Sequence, residues 1–388
     1  MSRRSPRTFL HECMKIAINC RSFLKDQYTG IGRYAYNLVQ FLSEIDRENQ
    51  YYLYVHKGIF DRKRKVPQLK APNFHVKVDY LNRGFDKALK DVDIYHSPSP
   101  DRLDIDGVRV IVTVHDLIYL TYPQGHTPRT IEETHNQFQQ IMVKADKIIC
   151  VSKSTMADLK RHFNVHPSKM RLVYQGIDRD VFYPLDPPEK NKAREVVRIK
   201  GIEDPFILFV GTIEPRKNLA GLVNAFAMLK NKKSFTGKLV VIGMKGWMEG
   251  PVFDLIEQQK LKDDIIFLGY LSSQELCYFY NVAEVFVFPS FYEGFGFPIV
   301  EAFSCGTPVV TSNISSCPEV AQDAALIVEP HKPEDIAQAI ERILEDKEFK
   351  RALQQKGFHR ALDFSFVNTA KNTLRVYEEV YSNFTPEV

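Results

Sequence analysis

One short segment carries two carboxylates beside a pair of glycines. Glu293 falls in the loop after the apolar stretch Val285–Pro289, and Glu301 falls inside the helix that follows. Gly294 and Gly296 free the backbone between them to present N–H groups to an anion. The segment therefore combines acceptors for sugar hydroxyls with donors for a phosphate. A glycosidase with paired acids is the competing interpretation, which the α/β layout and the phosphate-type loops described below disfavour.

A basic pair follows another apolar stretch, Pro205–Gly211. Arg216 and Lys217 stand after it and before a helix that starts near Leu219. Open α/β sheets bind ligands at the carboxyl ends of their strands, where a planar guanidinium and a compact ammonium suit a diphosphate. The alternative is that both are solvated loop charges. We expect these cations to face the two carboxylates across a gap.

Two glycines, Gly30 and Gly32, stand in the sequence Tyr28-Thr-Gly-Ile-Gly-Arg33, which we place directly before a helix of 3.6-residue apolar period. Glycine lets a ligand approach the backbone, and a helix start offers free N–H groups to an anion. The alternative is a tight strand-to-helix turn. A nicotinamide dehydrogenase would need a full glycine fingerprint and an acid about 20 residues further on, and the glycines fit that pattern poorly.

Two histidines, His96 and His115, each follow a strand candidate in the first half of the chain. Because the carboxyl ends of parallel strands meet at one edge of a sheet, both could line a cleft opposite the glutamates. A hydrogen-bonded structural role is the alternative for each, and for His96 the two are equally supported.

Short apolar stretches, each followed by a segment of helical period, recur along the chain and predict an α/β fold with parallel sheets. We predict two facing Rossmann-like domains with a ligand cleft between them. The strand candidates are Lys15–Cys20, Tyr51–His56, Phe74–Val78, Val92–His96, Val108–Val114, Lys147–Val151, Arg171–Tyr174, Pro205–Gly211, Lys238–Gly243, Ile265–Gly269, Val285–Pro289, Pro308–Ser312 and Ala325–Val328.

Composition predicts the domain boundaries. Residues 1–13 are basic and contain Ser and Pro, which indicates a disordered extension rather than a secretory signal. Residues 14–185 and 201–365 form the two domains, and 186–200, rich in Pro and charge, forms the linker. By analogy with such folds, we expect 366–388 to form a helix that returns to the first domain.

Composition also excludes several classes of protein. The 388 residues carry 52 Lys+Arg against 48 Asp+Glu, a net charge of +4, which is too small to indicate a nucleic-acid partner. No apolar run approaches the roughly 18–20 residues of a membrane span, so we expect a soluble body. The six cysteines show neither a paired motif nor a metal-ligand spacing, which suits free thiols and a cytoplasmic location.

Together these motifs resemble the retaining GT-B glycosyltransferases of family 4, over most of the chain from about Met14 onward. Glu293 and Glu301 are similar to the family's two glutamates separated by seven residues. The other matching segments are Val151–Ser154, Tyr174–Asp178, Gly211–Asn218 and Gly306–Val310.

The resemblance implies a role for each matched residue. Gly30 and Gly32 would face the diphosphate of a nucleotide sugar, and His115 would approach its sugar. Glu293 would hold hydroxyls of the transferred sugar and Glu301 those of the ribose.

The resemblance also implies which groups neutralise the leaving diphosphate and which border the base. Arg216 and Lys217 would supply the charge, with Arg216 replacing an Arg that many members carry at the position of Thr212. Backbone N–H groups of Phe295, Gly296 and Phe297 would assist them. Tyr270 and Leu271 would border the nucleobase, with Gly243 through Lys245 beneath it.

The activity so implied is hexosyl transfer with retention, with no cofactor and no metal, in the synthesis of surface or extracellular polysaccharides. UDP-glucose is the expected donor and GDP-mannose the alternative. Two Asp-x-Asp sequences, at Asp91–Asp93 and Asp104–Asp106, resemble metal motifs, but the basic pair already offers the charge of Mg²⁺.

The acceptor implied is a saccharide or a lipid-linked saccharide bound by the first domain. The basic stretch Asp61–Lys65 could attract such a lipid or the inner face of an anionic membrane, to which the chain would bind weakly and peripherally; a solvated loop is an equal alternative. A nucleotide-sugar 2-epimerase and a non-catalytic nucleotide-sugar-binding protein remain as rival functions.

Overall fold

The computed structural model describes residues 13–24, 30–56, 69, 71–79, 91–100, 107–203, 205–244, 246 and 250–382. Several features predicted from the sequence lie outside these residues: positions 1–12 of the basic extension, the basic stretch at 61–65, the second Asp-x-Asp sequence at 104–106, and Lys245.

Seven parallel strands form the first sheet, in the order β3-β2-β1-β4-β5-β6-β7. The central strands are buried at almost every position, as expected where helices cover both faces of a parallel sheet. Their bounds are β1 Lys15–Asn19, β2 Gln50–His56, β3 Phe74–Asp79, β4 Ile94–Ser97, β5 Arg109–Val114, β6 Lys147–Cys150 and β7 Met170–Leu172.

Six parallel strands form the second sheet, in the order β10-β9-β8-β11-β12-β13. Their bounds are β8 Phe206–Val210, β9 Lys238–Ile242, β10 Ile265–Gly269, β11 Val285–Phe288, β12 Val309–Ser312 and β13 Leu326–Val328. Every strand candidate of the sequence is thus present, with its ends within two residues of the predicted ones. The prediction of an α/β fold with two Rossmann-like domains is confirmed.

Helices alternate with these strands along the chain. On the described residues they are α1 Gly30–Ile45, α2 Ile118–Thr121, α3 Pro128–Lys144, α4 Lys153–Phe163, α5 Pro187–Ile199, α6 Leu219–Asn231, α7 Gly250–Gln258, α8 Ser273–Val282, α9 Phe297–Ser304, α10 Cys317–Ala321, α11 Pro333–Glu345, α12 Lys347–Ala361 and α13 Phe366–Ser382. No helix in the described part of the chain is both long and apolar enough to cross a bilayer.

The segment predicted as a linker, 186–200, contains the ordered helix α5. Asp186 caps this helix and forms a capping box with Glu189, which satisfies N–H groups that a helix start leaves without partners. Ala193 and Val197 are buried in the core of the second domain. Two apolar residues four positions apart suffice to dock this helix, although they are too sparse to stand out as a periodic pattern.

The last helix, α13, lies against α1 in the first domain. Tyr377 and Val380 are buried in the core beneath α1. The chain reaches this position beside Gly176, where an added Cβ would lie 2.2 Å from the backbone nitrogen of Phe366. Glycine is required there because no side chain fits between the two backbones.

Strand order reverses between β1 and β4 in the first sheet and between β8 and β11 in the second. At such a reversal the flanking loops diverge and leave a crevice outside the carboxyl ends of the strands, where open sheets bind ligands. The loops after β8 and β11 carry Lys217 and Glu293. Topology therefore brings the basic pair and the first glutamate of the sequence analysis to one crevice.

Candidate active site

Two loops at the carboxyl edge of the second sheet bring a lysine and a glutamate into contact. Lys217 ends a short 3₁₀ turn after β8, and Glu293 lies in the loop between β11 and α9. The Nζ atom of Lys217 is 2.6 Å from Oε1 of Glu293, and the two side chains are only 11% and 9% exposed. The expectation of a gap between cations and carboxylates is therefore wrong for this pair, because both loops belong to one crevice of one domain.

Arg216 extends this cluster on its other side. Its Nη1 atom is 3.0 Å from Oε2 of Glu293 and donates to the carbonyl oxygen of Tyr292 at 2.6 Å. Its Nη2 atom pairs with Glu214. The Nε atom has no protein partner among the described residues. Arg216 thus ties the β11 loop to the β8 loop as well as adding charge.

The charges in this cluster support one another. Burial opposes ionisation of Glu293, but the charges of Lys217 and Arg216 outweigh it and lower the pKa of its carboxyl group. Burial likewise opposes the charge of Arg216, and the carboxylates of Glu293 and Glu214 outweigh it and raise the pKa of the guanidinium. Glu293 and Arg216 are therefore both ionised at neutral pH.

The loop after Glu293 ends in a helix start that faces the crevice. Gly296, at the N-cap of α9, has a φ of 103°, a left-handed conformation that favours glycine. Ser316 holds the loop by donating to the carbonyl oxygen of Phe295 at 2.8 Å. The N–H groups of Phe295, Gly296 and Phe297 donate to no acceptor within the described ranges. Three N–H groups are thus available to an anion at a positive dipole end.

Glu301 lies in α9 and is buried. Its Oε1 atom is 3.1 Å from Nη1 of Arg33, which belongs to α1 of the first domain. Its Oε2 atom accepts a hydrogen bond from the Tyr280 hydroxyl at 3.0 Å. Burial raises the pKa of Glu301, against the opposing effects of Arg33 and Tyr280. The second glutamate of the motif is therefore bound across the domain boundary.

His115 follows β5, and its backbone touches the glutamate loop at Gly294. Its Nε2 atom lies 2.7 Å from the carbonyl oxygen of Pro98 and must donate to it, so Nδ1 accepts from the Gln175 amide at 2.8 Å. Burial lowers the pKa of the imidazole, which is therefore neutral. Gly294 packs so closely on this residue that an added Cβ would be 2.0 Å from the His115 carbonyl oxygen.

His96 does not line the cleft. Its two ring nitrogens lie 2.7 Å from the Tyr377 hydroxyl and 2.9 Å from the Thr113 hydroxyl, and the side chain is fully buried. Burial lowers the pKa of His96 to about 3. The structural alternative is the correct one, because the helix α13 covers this strand end.

The two phosphate-type glycines lie inside a helix rather than before it. Gly30 is the first residue of α1, and Gly32 is in its first turn. An added Cβ on Gly30 would meet nothing within 4 Å, so no steric contact within the described residues requires glycine there. The boundary prediction was wrong because glycine disfavours a helix interior but is tolerated in the first turn.

The residues predicted to border the nucleobase differ in their exposure and contacts. Tyr270 is 56% exposed and lines a cavity of about 230 Å³ between α1 and the second domain. Leu271 is buried in the core of the second domain, so only its backbone can border a ligand. Gly243 approaches the loop after β8, where an added Cβ would lie 1.9 Å from the carbonyl oxygen of Gly211.

Sequence reasoning missed the contacts that join the domains. The Tyr292 hydroxyl donates to Asp158 of α4 at 2.8 Å. Glu319 of α10 accepts from the backbone N–H of Lys153 at 2.8 Å and caps α4 from the other domain. Both groups line a second cavity between the domains, of about 570 Å³. These pairs are more than a hundred positions apart in the chain, so no local spacing signals them.

Three other residues contact the predicted site residues, and the sequence gives only weak signals for them. Arg33 directly follows the glycine pair, and Gln175 stands inside the matching segment Tyr174–Asp178. Tyr280 lies in α8, and nothing in its local sequence marks it as a site residue.

Among the described residues, no group of three His, Cys, Asp or Glu is arranged to hold a metal ion. Asp93, in the first Asp-x-Asp sequence, instead accepts a hydrogen bond from the Lys15 N–H at 2.7 Å.

Two Rossmann-like domains, with a basic, carboxylate-bearing crevice at the edge of the second sheet, define the GT-B class of transferase. Sucrose-phosphate synthase from Thermosynechococcus elongatus superposes with a TM-score of 0.76 at 22% identity, covering 95% of this chain and 100% of that one. Anabaena HepE in complex with UDP-glucose superposes with a TM-score of 0.71 at 16% identity, covering 94% and 100%. At these identities the likeness is one of fold.

Sequence comparison identifies the family. A model described as Glycosyltransferase Family 4 matches residues 28–181, and one described as Glycosyl transferases group 1 matches residues 190–360. The O-antigen chain mannosyltransferase B of Escherichia coli is 30% identical over 92% of this chain and 97% of its own length. The chain belongs to glycosyltransferase family 4, and it is a glycosyltransferase.

Proposed function

We propose that this enzyme moves a hexose from a nucleotide sugar to a saccharide or lipid-linked saccharide acceptor in polysaccharide synthesis, with retention and without a metal. The observation that carries the proposal is the buried Lys217–Glu293 pair beside the free N–H groups at the start of α9. A cation and helix dipoles suit a diphosphate, and a fixed carboxylate suits sugar hydroxyls.

The mechanism we propose is electrostatic. Cleavage of the bond between sugar and phosphate develops negative charge on the diphosphate and positive charge on the anomeric carbon. Lys217, Arg216 and the N–H groups at Phe295, Gly296 and Phe297 stabilise the first, and fixed groups of this kind cost no reorganisation during the reaction. The acceptor attacks the face from which the diphosphate leaves and passes its proton to that phosphate, so no enzymic nucleophile takes part.

The rest of the cleft supplies orientation. Glu293, held by two cations, accepts hydroxyls of the hexose, and Glu301 accepts those of the ribose. Gly30 and Gly32 place the start of α1 against the diphosphate, and His115 lies beside the sugar. Tyr270, the Leu271 backbone and the segment from Gly243 to Lys245 border the base. The first domain binds the acceptor, and the chain acts in the cytoplasm, where a weak contact with the inner membrane face would serve a lipid-linked acceptor.

UDP-glucose and GDP-mannose are the two candidate donors, and one observation favours GDP-mannose. UDP-glucose is supported by a resemblance of the whole chain to the cyanobacterial enzyme of heterocyst-envelope polysaccharide synthesis. HepE, whose fold this chain shares, is known in complex with UDP-glucose. The relative with 30% identity over nearly its whole length is named a mannosyltransferase. Because that relation is much nearer in sequence, we propose GDP-mannose ahead of UDP-glucose.

A thermal-shift panel of nucleotides and nucleotide sugars tests the proposal, since a ligand that binds only the native state raises the unfolding temperature. We expect one nucleoside diphosphate and its sugar to stabilise the protein, and radiolabelled sugar to reach an added acceptor. Conversion of the nucleotide sugar with no acceptor present would indicate a 2-epimerase. If the protein binds a nucleotide sugar but releases no nucleoside diphosphate with any acceptor added, it is a non-catalytic sensor.

A further inference from the structure

Arg33 joins the two domains at the mouth of the cleft. It lies in the first turn of α1, and its guanidinium reaches the second domain. Nη1 is 3.1 Å from Oε1 of Glu301, and Nη2 donates to the Ser273 hydroxyl at 3.0 Å. The Arg33 side chain is 33% exposed and that of Glu301 only 5%. The arginine therefore stands between solvent and a buried carboxylate.

This bridge borders a cavity that is small for a nucleotide. Arg33, Ser273, Tyr270 and Phe297 line the cavity of about 230 Å³, whereas sites for drug-sized ligands usually measure about 300–1,000 Å³. A nucleoside diphosphate that reaches Glu301 must therefore move the guanidinium. Displacing it without a new partner would leave a charged group with broken hydrogen bonds, which is costly.

The donor itself can supply the new partner. A guanidinium binds phosphate oxygens with two parallel hydrogen bonds, and Arg33 sits at the positive end of the α1 dipole, where a second negative group is favoured. Ribose hydroxyls can in turn donate to the Glu301 oxygen that Arg33 leaves. One displacement thus exchanges two protein contacts for two ligand contacts.

We propose that Arg33 is a donor-binding residue that exchanges partners. It pairs with Glu301 and Ser273 in the ligand-free enzyme and with the diphosphate of the donor in the complex, which releases Glu301 to the ribose. This inference rests on the proposed function, because it assumes a nucleoside diphosphate donor. It assigns to Arg33 the preference for a diphosphate over a bare nucleoside, and it couples donor binding to the contact between the domains.

Calorimetric titration of the full chain with GDP and guanosine, and with UDP and uridine, tests the exchange. We expect Arg33→Ala to weaken binding of the diphosphate by about tenfold or more, and to leave binding of the matching nucleoside unchanged or tighter. The affinity of Arg33→Lys for the diphosphate should lie between those of the wild type and of Arg33→Ala, since lysine retains the charge without the planar fork of hydrogen-bond donors. Arg47→Ala, at an exposed position after α1, is the matched control and should change neither.

The outcomes separate this inference from the proposed function. A wild-type enzyme that binds neither diphosphate would overturn the proposed function and the exchange with it. A wild-type enzyme that binds one, with an Arg33→Ala variant that keeps the full preference for diphosphate over nucleoside, would overturn the exchange alone. Equal weakening of both ligands would also overturn it, because a merely structural role of Arg33 predicts that result. Unfolding curves of each variant establish that the native fold is present.

Discussion

Lys217 and Glu293, 76 positions apart in the chain, form a direct ion pair of 2.6 Å inside the cleft. The ammonium also lies 4.9 Å from the centre of the Phe288 ring. Its position is therefore set on two sides before any ligand arrives. Such preorganisation is what electrostatic stabilisation of a transition state requires.

Replacement of this lysine tests the leaving-group role. We expect Lys217→Ala to fold and to lose at least about a hundredfold in turnover, the usual cost of one preorganised donor. Steady-state kinetics with saturating donor measure this. Lys230→Ala, in a helix of the same domain remote from the cleft loops, is the control. Unchanged turnover in Lys217→Ala would refute the assignment.

Replacement of Glu293 tests whether this residue binds the sugar rather than the nucleotide of the donor. We expect Glu293→Ala to reduce turnover of the nucleotide sugar far more than it reduces affinity for the free nucleoside diphosphate, because the carboxylate is assigned to hexose hydroxyls. Glu293→Gln should retain part of the activity, since an amide oxygen still accepts hydrogen bonds. Parallel losses in turnover and in nucleotide affinity would contradict the assignment.

The contact of Gly294 with His115 tests whether domain approach is needed for catalysis. A Cβ on Gly294 would lie 2.0 Å from the His115 carbonyl oxygen, so we expect Gly294→Ala to hold the domains apart and to lower turnover by at least about tenfold. Gly250→Ala is the control, because a Cβ there meets nothing within 4 Å. Small-angle scattering with and without nucleotide measures the separation, and full activity of Gly294→Ala would refute the requirement.

The buried His96 predicts a pH dependence of stability. Its pKa is about 3 in the native state against an ordinary 6.5, so between these values the unfolded chain binds more protons. The free energy of unfolding should therefore fall as pH drops below 6.5, by about 2 kcal/mol at pH 5 from this residue alone. Urea unfolding at pH 7.5 and pH 5 should show a smaller fall for His96→Asn than for wild type or for His359→Asn, whose side chain is exposed. Identical pH slopes would exclude the effect.

Metal removal tests the remaining part of the mechanism. Because Lys217 and Arg216 supply positive charge at the crevice, we expect EDTA to leave turnover unchanged and added Mg²⁺ not to raise it. The same preparation, dialysed and assayed with and without divalent cations, gives the comparison. Loss of activity in EDTA that Mg²⁺ restores would require a metal in the mechanism.

Much of the fold was accessible from local patterns. Strands buried on both faces read as continuous apolar runs, which is why β5 and β11 were located to within two residues. The helix α5 was missed because Pro and charged residues dominate its exposed face and only Ala193 and Val197 are buried. His96 was ambiguous because its partner Tyr377 lies 281 positions away.

The site divides in the same way. Residue types and spacing alone determined that this chain carries a basic pair, two glutamates and a glycine-rich helix start after strands. Local apolar runs mark where each strand ends, and these residues follow those ends. Tertiary structure alone decided that Lys217 and Glu293 form a buried pair, that Arg33 spans the domains to Glu301, and that His96 belongs to the core. Such pairings depend on which distant segments share a crevice, and that is set by the packing of whole sheets and helices rather than by any local sequence period.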